Sequence, residues 1–136
     1  MRVAIYCRVS CDHDENIRSL ENQILAYIEL VQNNPGWILK GIYSDKGVSG
    51  TSMNRRVGFK RLLCHCEQGQ IDLVITKSLS RFSRNTHDLL GVLRQLRKQH
   101  VDVIFEKEGI RMSEADNEFI LTRLSTEINE NRQNKS

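Results

Sequence analysis

Apolar residues along the chain fall into two alternating kinds of run. Residues 2–8, "RVAIYCR", are rich in β-branched and aromatic types and predict a strand. Residues 15–33 carry Ile17, Leu20, Ile24, Ile28 and Val31 at helical spacing and predict an amphipathic helix. A second strand is expected over 37–44, "WILKGIYS". The stretch "DKGVSGTSMNRR" then reads as a loop, with Gly47, Gly50 and small polar residues as its signal. A short helix over 57–68 carries Phe59, Leu62 and Leu63. "DLVITK", residues 72–77, is nearly all apolar, as a strand buried on both faces should be. "SLSRFSRNT" follows as a turn or helix start. A helix over 87–99 runs through Leu89, Leu90, Val92, Leu93 and Leu96. Residues 101–106, "VDVIFE", predict a fourth strand, "GIRM" a candidate edge strand, and residues 114–133 a final, polar-rich helix.

Strand and helix thus alternate about four times. The pattern predicts a three-layer α/β/α fold with a largely parallel sheet of four to five strands and helices on both faces. Right-handed crossovers place the C-terminal ends of the strands along one edge, beyond which ligands bind in open α/β sheets. The first strand ends in Arg8-Val9-Ser10, and on an extended chain Arg8 and Ser10 share a face. The second ends in Ser44-Asp45 and its glycine-bearing loop, with Arg56 beyond. The third ends in Lys77 and runs into Ser80-Arg81-Phe82-Ser83-Arg84.

Charge sharpens this picture. The 136 residues carry a net charge of only +3, but residues 51–100 hold ten Lys/Arg against three Asp/Glu. The basic residues therefore gather at the same sheet edge and point to an anionic partner. Other classes fall away. There is no G-x-x-x-x-G-K-[ST] loop and no G-x-S-x-G elbow. The pair Cys64 and Cys66 lacks the C-x2-C spacing of a zinc site, and a helix aims the two thiols apart. Cys7, Cys11, Cys64 and Cys66 read as reduced thiols, and His13, His65, His87 and His100 as surface or boundary residues. No apolar stretch reaches the ~20 residues that span a bilayer, and no signal peptide is evident, so a cytosolic protein is expected.

What remains is a serine surrounded by arginines. Arg81 and Arg84 are three apart and share a face on a helix. Guanidinium groups match phosphate oxygens with paired hydrogen bonds and stay charged at any working pH. Several around one hydroxyl suit binding a phosphodiester, neutralising its transition state and favouring the deprotonated serine, with no metal or cofactor required. Two plainer readings stand beside this one. Ser10 is also an ordinary turn residue in a non-catalytic interaction domain, and the same edge suits a phosphate- or nucleotide-binding signalling domain.

The ordered segments "YCRVS", "SLENQ", "YSDKGVSG", "RVGF" and "KSLSRFSRN" resemble the catalytic domain of serine site-specific recombinases, the resolvase/invertase family. The serine-centred third-strand motif is most similar to the large serine recombinases and transposon recombinases. The resemblance implies site-specific DNA recombination, with Ser10 as the nucleophile that becomes joined to a 5′ phosphate. It implies that Arg8 contacts the scissile phosphate, and that Arg81 and Arg84 bind phosphate and are candidates to protonate the leaving oxygen. Gln23 matches a first-helix glutamine near the site, and Asp45 a carboxylate that orients the arginines. Arg56 matches a further phosphate-contacting arginine, and Ser49 a loop serine. Lys77 is expected at the phosphate or on the surface. Ser80 stands where smaller resolvases have Asp.

The resemblance also implies DNA as partner, and dimers that pair into a tetramer. In the family a long helix that dimerises and lies on DNA leads into a separate DNA-binding region. Residues 1–113 are therefore expected to form the catalytic domain and 114–136 the start of that helix, the sequence being that of an excised catalytic domain or a truncated product. The final helix has apolar positions at Phe119, Ile120, Leu124 and Ile128, and of the adjacent pair Phe119 and Ile120 one is expected on the core and the other on a partner.

Overall fold

The structure is a computed structural model of the chain, and it describes residues 1–9, 14–46, 56–82 and 86–133. Among the described residues five strands and five α-helices follow one another as β1 (Arg2–Val9), α1 (Asp14–Gln32), β2 (Ile38–Lys46), α2 (Val57–Glu67), β3 (Leu73–Thr76), α3 (Leu79–Phe82), α4 (Thr86–Lys98), β4 (Asp102–Phe105), β5 (Ile110–Arg111) and α5 (Asn117–Gln133). A 3₁₀ turn, Met112–Glu114, precedes α5.

The sheet order is β2-β1-β3-β4-β5. β1 pairs in parallel with both β2 and β3, and β3 in parallel with β4. β5 alone runs antiparallel, paired to β4 through Ile104–Arg111 and Phe105–Ile110. The link from β4 to β5 has no room for a crossover helix, so the chain can only reverse. It does so at Gly109, whose φ of 66° lies in the left-handed region.

Two cores follow from the alternation of side chains along the strands. On one face Val3, Ile5, Cys7, Leu73 and Ile75 meet Leu20, Tyr27 and Val31 of α1. On the other, Ala4, Tyr6, Val74, Val103 and Phe105 meet α2, α3, α4 and α5 in a larger cluster. β3 is buried along its whole length, as expected of a strand covered on both faces. Helix α1 shows its apolar stripe to the sheet and stops before Pro35-Gly36, where φ of Gly36 is 87°. Ile120 and Leu124 of α5 are fully buried in the larger cluster, whereas Phe119 is 51% exposed. The first turns of α5 are thus part of the packed unit.

The connection leaving β1 leads through α1 to β2 on one side, whereas the connection leaving β3 leads through α3 and α4 to β4 on the other. The strand order therefore reverses between β1 and β3. That crevice, at the C-terminal ends of the strands, is where α/β sheets bind ligands. Arg8 stands on one side of it and α3 on the other.

Candidate active site at the sheet edge

Arg8, near the end of β1, pairs in register with Asp45 near the end of β2, on the face covered by α2. Its guanidinium crosses the crevice and donates from Nη2 to the carbonyl of Ser80 at 3.0 Å. Arg8 is only 6% exposed. Tyr6, two residues earlier on the same face, is fully buried and donates its hydroxyl to Asp45 Oδ2 at 2.7 Å. Burial drives the Tyr6 phenol well above its ordinary pKa, against the nearby Arg56, so the group remains a protonated donor.

Asp45 has two further roles in the same carboxylate. Oδ1 accepts the backbone N–H of Gly58 at 2.8 Å, and Oδ2 accepts that of Phe59 at 3.0 Å. These are orphan donors at the start of α2, which Arg56, the residue before the helix, leaves without a side-chain cap of its own. Asp45 therefore fixes the helix to β2. The close approach requires glycine, since a Cβ at Gly58 would lie 2.4 Å from the carbonyl oxygen of Ser44.

Arg56 is drawn inward. It is 4% exposed, its guanidinium carbon lies 3.9 Å from the centroid of the Phe59 ring, and it donates to Tyr6 Oη at 3.0 Å. It also donates to the carbonyls of Arg81 at 2.8 Å and Phe82 at 2.5 Å. Helix α3 presents its carbonyls to side chains of other elements. Arg8 takes that of Ser80 and Arg56 those of Arg81 and Phe82. At the other end of α3, the N–H of Leu79 donates to Glu108 Oε1 at 3.0 Å.

Of the residues expected at the site, Arg8, Asp45, Arg56, Ser80 and Arg81 are brought together around the crevice. Ser80 Oγ lies 3.1 Å from Ser78 Oγ. Lys77 is exposed just past β3, and its carbonyl accepts the N–H of Lys107 at 2.7 Å. Gln23 is half-buried on α1, in the layer across the sheet from Arg8, Asp45 and Arg56. Ser10, Ser49 and Arg84 lie outside the described residues. Sequence reasoning left out Tyr6 and Phe59 as site residues. The signal for Tyr6 was the two-residue repeat Tyr6-Arg8-Ser10, which on a strand places three polar groups on one face.

Cys7, on the opposite face of β1, is fully buried, and burial pushes its thiol up to about 12 against the nearby charges of Arg81 and Lys77. Cys64 is exposed and Cys66 buried, so the two point apart. Among the described residues no cluster of three or more His, Cys, Asp and Glu is placed to hold a metal ion.

The sequence profile of the family "Resolvase, N terminal domain" matches residues 3–135. The chain belongs to the resolvase family. This resolvase-family chain is 31% identical over 125 residues to the transposon Tn3 resolvase of Escherichia coli, an alignment covering 92% of the chain and 60% of that protein. It is 32% identical over 126 residues to a resolvase/recombinase of Pseudomonas putida, covering 92% of the chain and 62% of the relative. The chain thus spans about three fifths of the length of the curated relatives it matches. Among solved structures it is similar to the N-terminal catalytic domain of TP901-1 integrase, with a TM-score of 0.68, 31% identity and full coverage of both chains. It is also similar to a resolvase-family site-specific recombinase from Streptococcus pneumoniae, with a TM-score of 0.73 and 29% identity, covering 98% of this chain and 89% of that one. The largely parallel sheet and its helices are those of the resolvase family's catalytic domains. Among the described residues no helix is long and apolar enough to cross a membrane.

Proposed function

We propose that this chain is the catalytic part of a site-specific DNA recombinase that works through a covalent phosphoserine. Ser10 Oγ attacks the phosphorus of a DNA phosphodiester and loses its proton. The bond to the 3′ oxygen breaks, that oxygen leaves as a hydroxyl, and the 5′ phosphate stays on the serine. Attack by a 3′ hydroxyl reverses the step and reseals the strand without ATP, because the phosphoester bond is exchanged and never hydrolysed. Arg8, Arg81 and Arg84 hold the phosphate and offset its charge, with Lys77 and the Ser80 turn at the rim. Asp45 fixes the frame, and Gln23 and Ser49 act from α1 and the loop before α2.

The observation that carries this reading is the position of Arg8 and of the helix bearing Arg81, on either side of the crevice where the strand order reverses. The family of the chain supplies the chemistry such a pair serves. Assembly belongs to the same proposal. Residues up to 113 form the catalytic unit and α5 begins the helix on which dimers form and pair into tetramers. The exposed ring of Phe119 beside the buried Ile120 suits a helix that faces a core and a partner at once.

The test is covalent capture. The protein is incubated with DNA spanning the ends of its own element, quenched with detergent, and examined for protein attached to 5′ ends. Attachment that vanishes in Ser10→Ala is expected. Normal binding with no attachment would leave the interaction-domain reading in its place.

A further inference from the structure

Arg56 is the least exposed of the described arginines at the site, and its described contacts face the protein interior. Its planar guanidinium lies against Phe59 at 3.9 Å and within 5.5 Å of the Tyr6 ring centroid, a cation–π geometry that offsets part of the cost of burying the charge. Nη1 is given to the carbonyl of Phe82, and Nη2 is divided between the Arg81 carbonyl and Tyr6 Oη. A phosphate contact needs those same N–H groups outward, so the arrangement suits a different task.

That task lies in α3. The four described residues of α3 make one turn, and one turn by itself has little means of holding its shape, because nucleation costs more than it returns. Leu79 and Phe82 anchor it through burial, Phe82 making edge contacts with Phe59 and Phe105 at 5.1 and 5.4 Å. Burial is not directional, however, and leaves the helix free to turn. Two hydrogen bonds from one rigid fork to successive carbonyls remove that freedom. One of those carbonyls belongs to Arg81 itself.

We propose that Arg56 is a positioning residue that aims Arg81 by clamping the C-terminal end of α3, and is not one of the arginines that touch the phosphate. The proposal rests on the recombinase reading above for what Arg81 does once aimed. Asp45 enters the same linkage through the Tyr6 hydroxyl, so the end of β2, the start of α2 and the end of α3 are tied at one point.

Arg56→Lys tests it, since an ammonium cannot reach two carbonyls in the plane of a fork. Three readouts are compared with the unaltered protein. Hydrogen exchange over residues 79–82 is expected to quicken by about tenfold, because local opening is what the clamp resists. The salt dependence of binding to a short DNA duplex of arbitrary sequence, measured in Arg56→Gln because that change removes the charge, is expected to stay the same. Covalent attachment at saturating DNA is expected to slow by about tenfold or more, as misplacing a group by a fraction of an ångström does. Leu62→Val, a core substitution without contact to α3's carbonyls, serves as the stability control and is expected to attach normally.

Unchanged exchange over 79–82 would overturn the clamp. A log–log salt slope reduced by about 0.9 in Arg56→Gln would place Arg56 on a phosphate and overturn the proposal in the other direction. Equal slowing in Leu62→Val would reduce the effect to stability and also overturn it. Should the unaltered protein form no covalent product, the recombinase reading fails alone, and exchange and salt slope still decide whether Arg56 is a clamp.

Discussion

The hydroxyl of Tyr6 donates to the carboxylate of Asp45 at 2.7 Å across two parallel strands. Neither residue is on its own a reactive group of the usual kind. Together they fix the geometry on which the reactive groups stand. Removing the Asp45 carboxylate leaves a buried phenol and two helix N–H groups without their acceptor. Asp45→Ala is therefore expected to cost about 2–4 kcal/mol, from a lost helix cap and an unsatisfied buried hydroxyl. Asp45→Asn, which retains one acceptor oxygen, should lose less. Urea unfolding of both variants measures the difference.

Two glycines on helices give opposite expectations. A methyl group on Gly58 collides with the Ser44 carbonyl, and neither piece of backbone can yield without moving α2 from β2. Gly58→Ala should destabilise by about 1–3 kcal/mol. Gly91, on α4, has nothing within 4 Å of where a Cβ would lie. Gly91→Ala should stabilise by about 0.5–1 kcal/mol, through helix propensity and the smaller entropy of the unfolded chain. Thermal unfolding that shifts both variants in the same direction would contradict this account.

Acid should weaken the fold through two aspartates. Hydrogen bonds from the Arg2 side chain and backbone N–H hold Asp72 at about 2. For Asp102, burial acts to raise the pKa, but the combined hydrogen bonds from Arg111, Ser113 and the Val103 N–H outweigh it and the net shift is downward. Both folded values lie below the unfolded carboxylate's ~3.9, so their contribution is present above that pH and fades as the pH falls towards 2. Stability measured from about pH 5 to pH 2 should decline, and the decline should be shallower in Asp102→Asn. An unchanged slope in that variant would remove Asp102 from the explanation.

Thiol reactivity reports the two cores directly. Cys64 is exposed, whereas Cys7 and Cys66 are buried, with thiols pushed by burial up to about 12. In a Cys11→Ser background, one thiol should react rapidly with a disulfide reagent at neutral pH, and two only after denaturant is added. Rapid labelling of Cys7 in the native protein would mean that α1 does not cover β1 as described.

Much of the fold was legible because its signals are local. Helical spacing in 15–33 and the unbroken apolar run of 72–77 report burial on one stripe and on two faces, and the observed α1 and β3 follow them closely. The edge strand "GIRM" was legible as extended chain. Its antiparallel sense comes from the short link through Gly109, a constraint of connection length. At the site, Arg8, Asp45 and Arg81 were legible as strand-end residues at the sheet edge. Arg56 was expected at the same edge, but its burial was not legible, because a charged residue beside a polar loop looks solvated until Tyr6, Phe59 and the carbonyls of α3 converge on it from three parts of the chain. Gln23 is a polar residue on an amphipathic helix, and nothing in its spacing specifies on which side of the sheet that helix docks.

The central place of β1 also bears on how the protein is made. One of the strand's two neighbours is made well after it: Arg2 and Asp72, which join the bases of β1 and β3, are 70 residues apart in sequence. At roughly 5–20 residues per second, a ribosome holds this apolar strand with one edge unpaired for several seconds. A hairpin cannot cover that edge, and parallel pairing at long range is slow. The nascent chain is thus most vulnerable to sticking to its neighbours before β3 has been made, and a chaperone that shelters short apolar segments would find its natural client in "VAIYC".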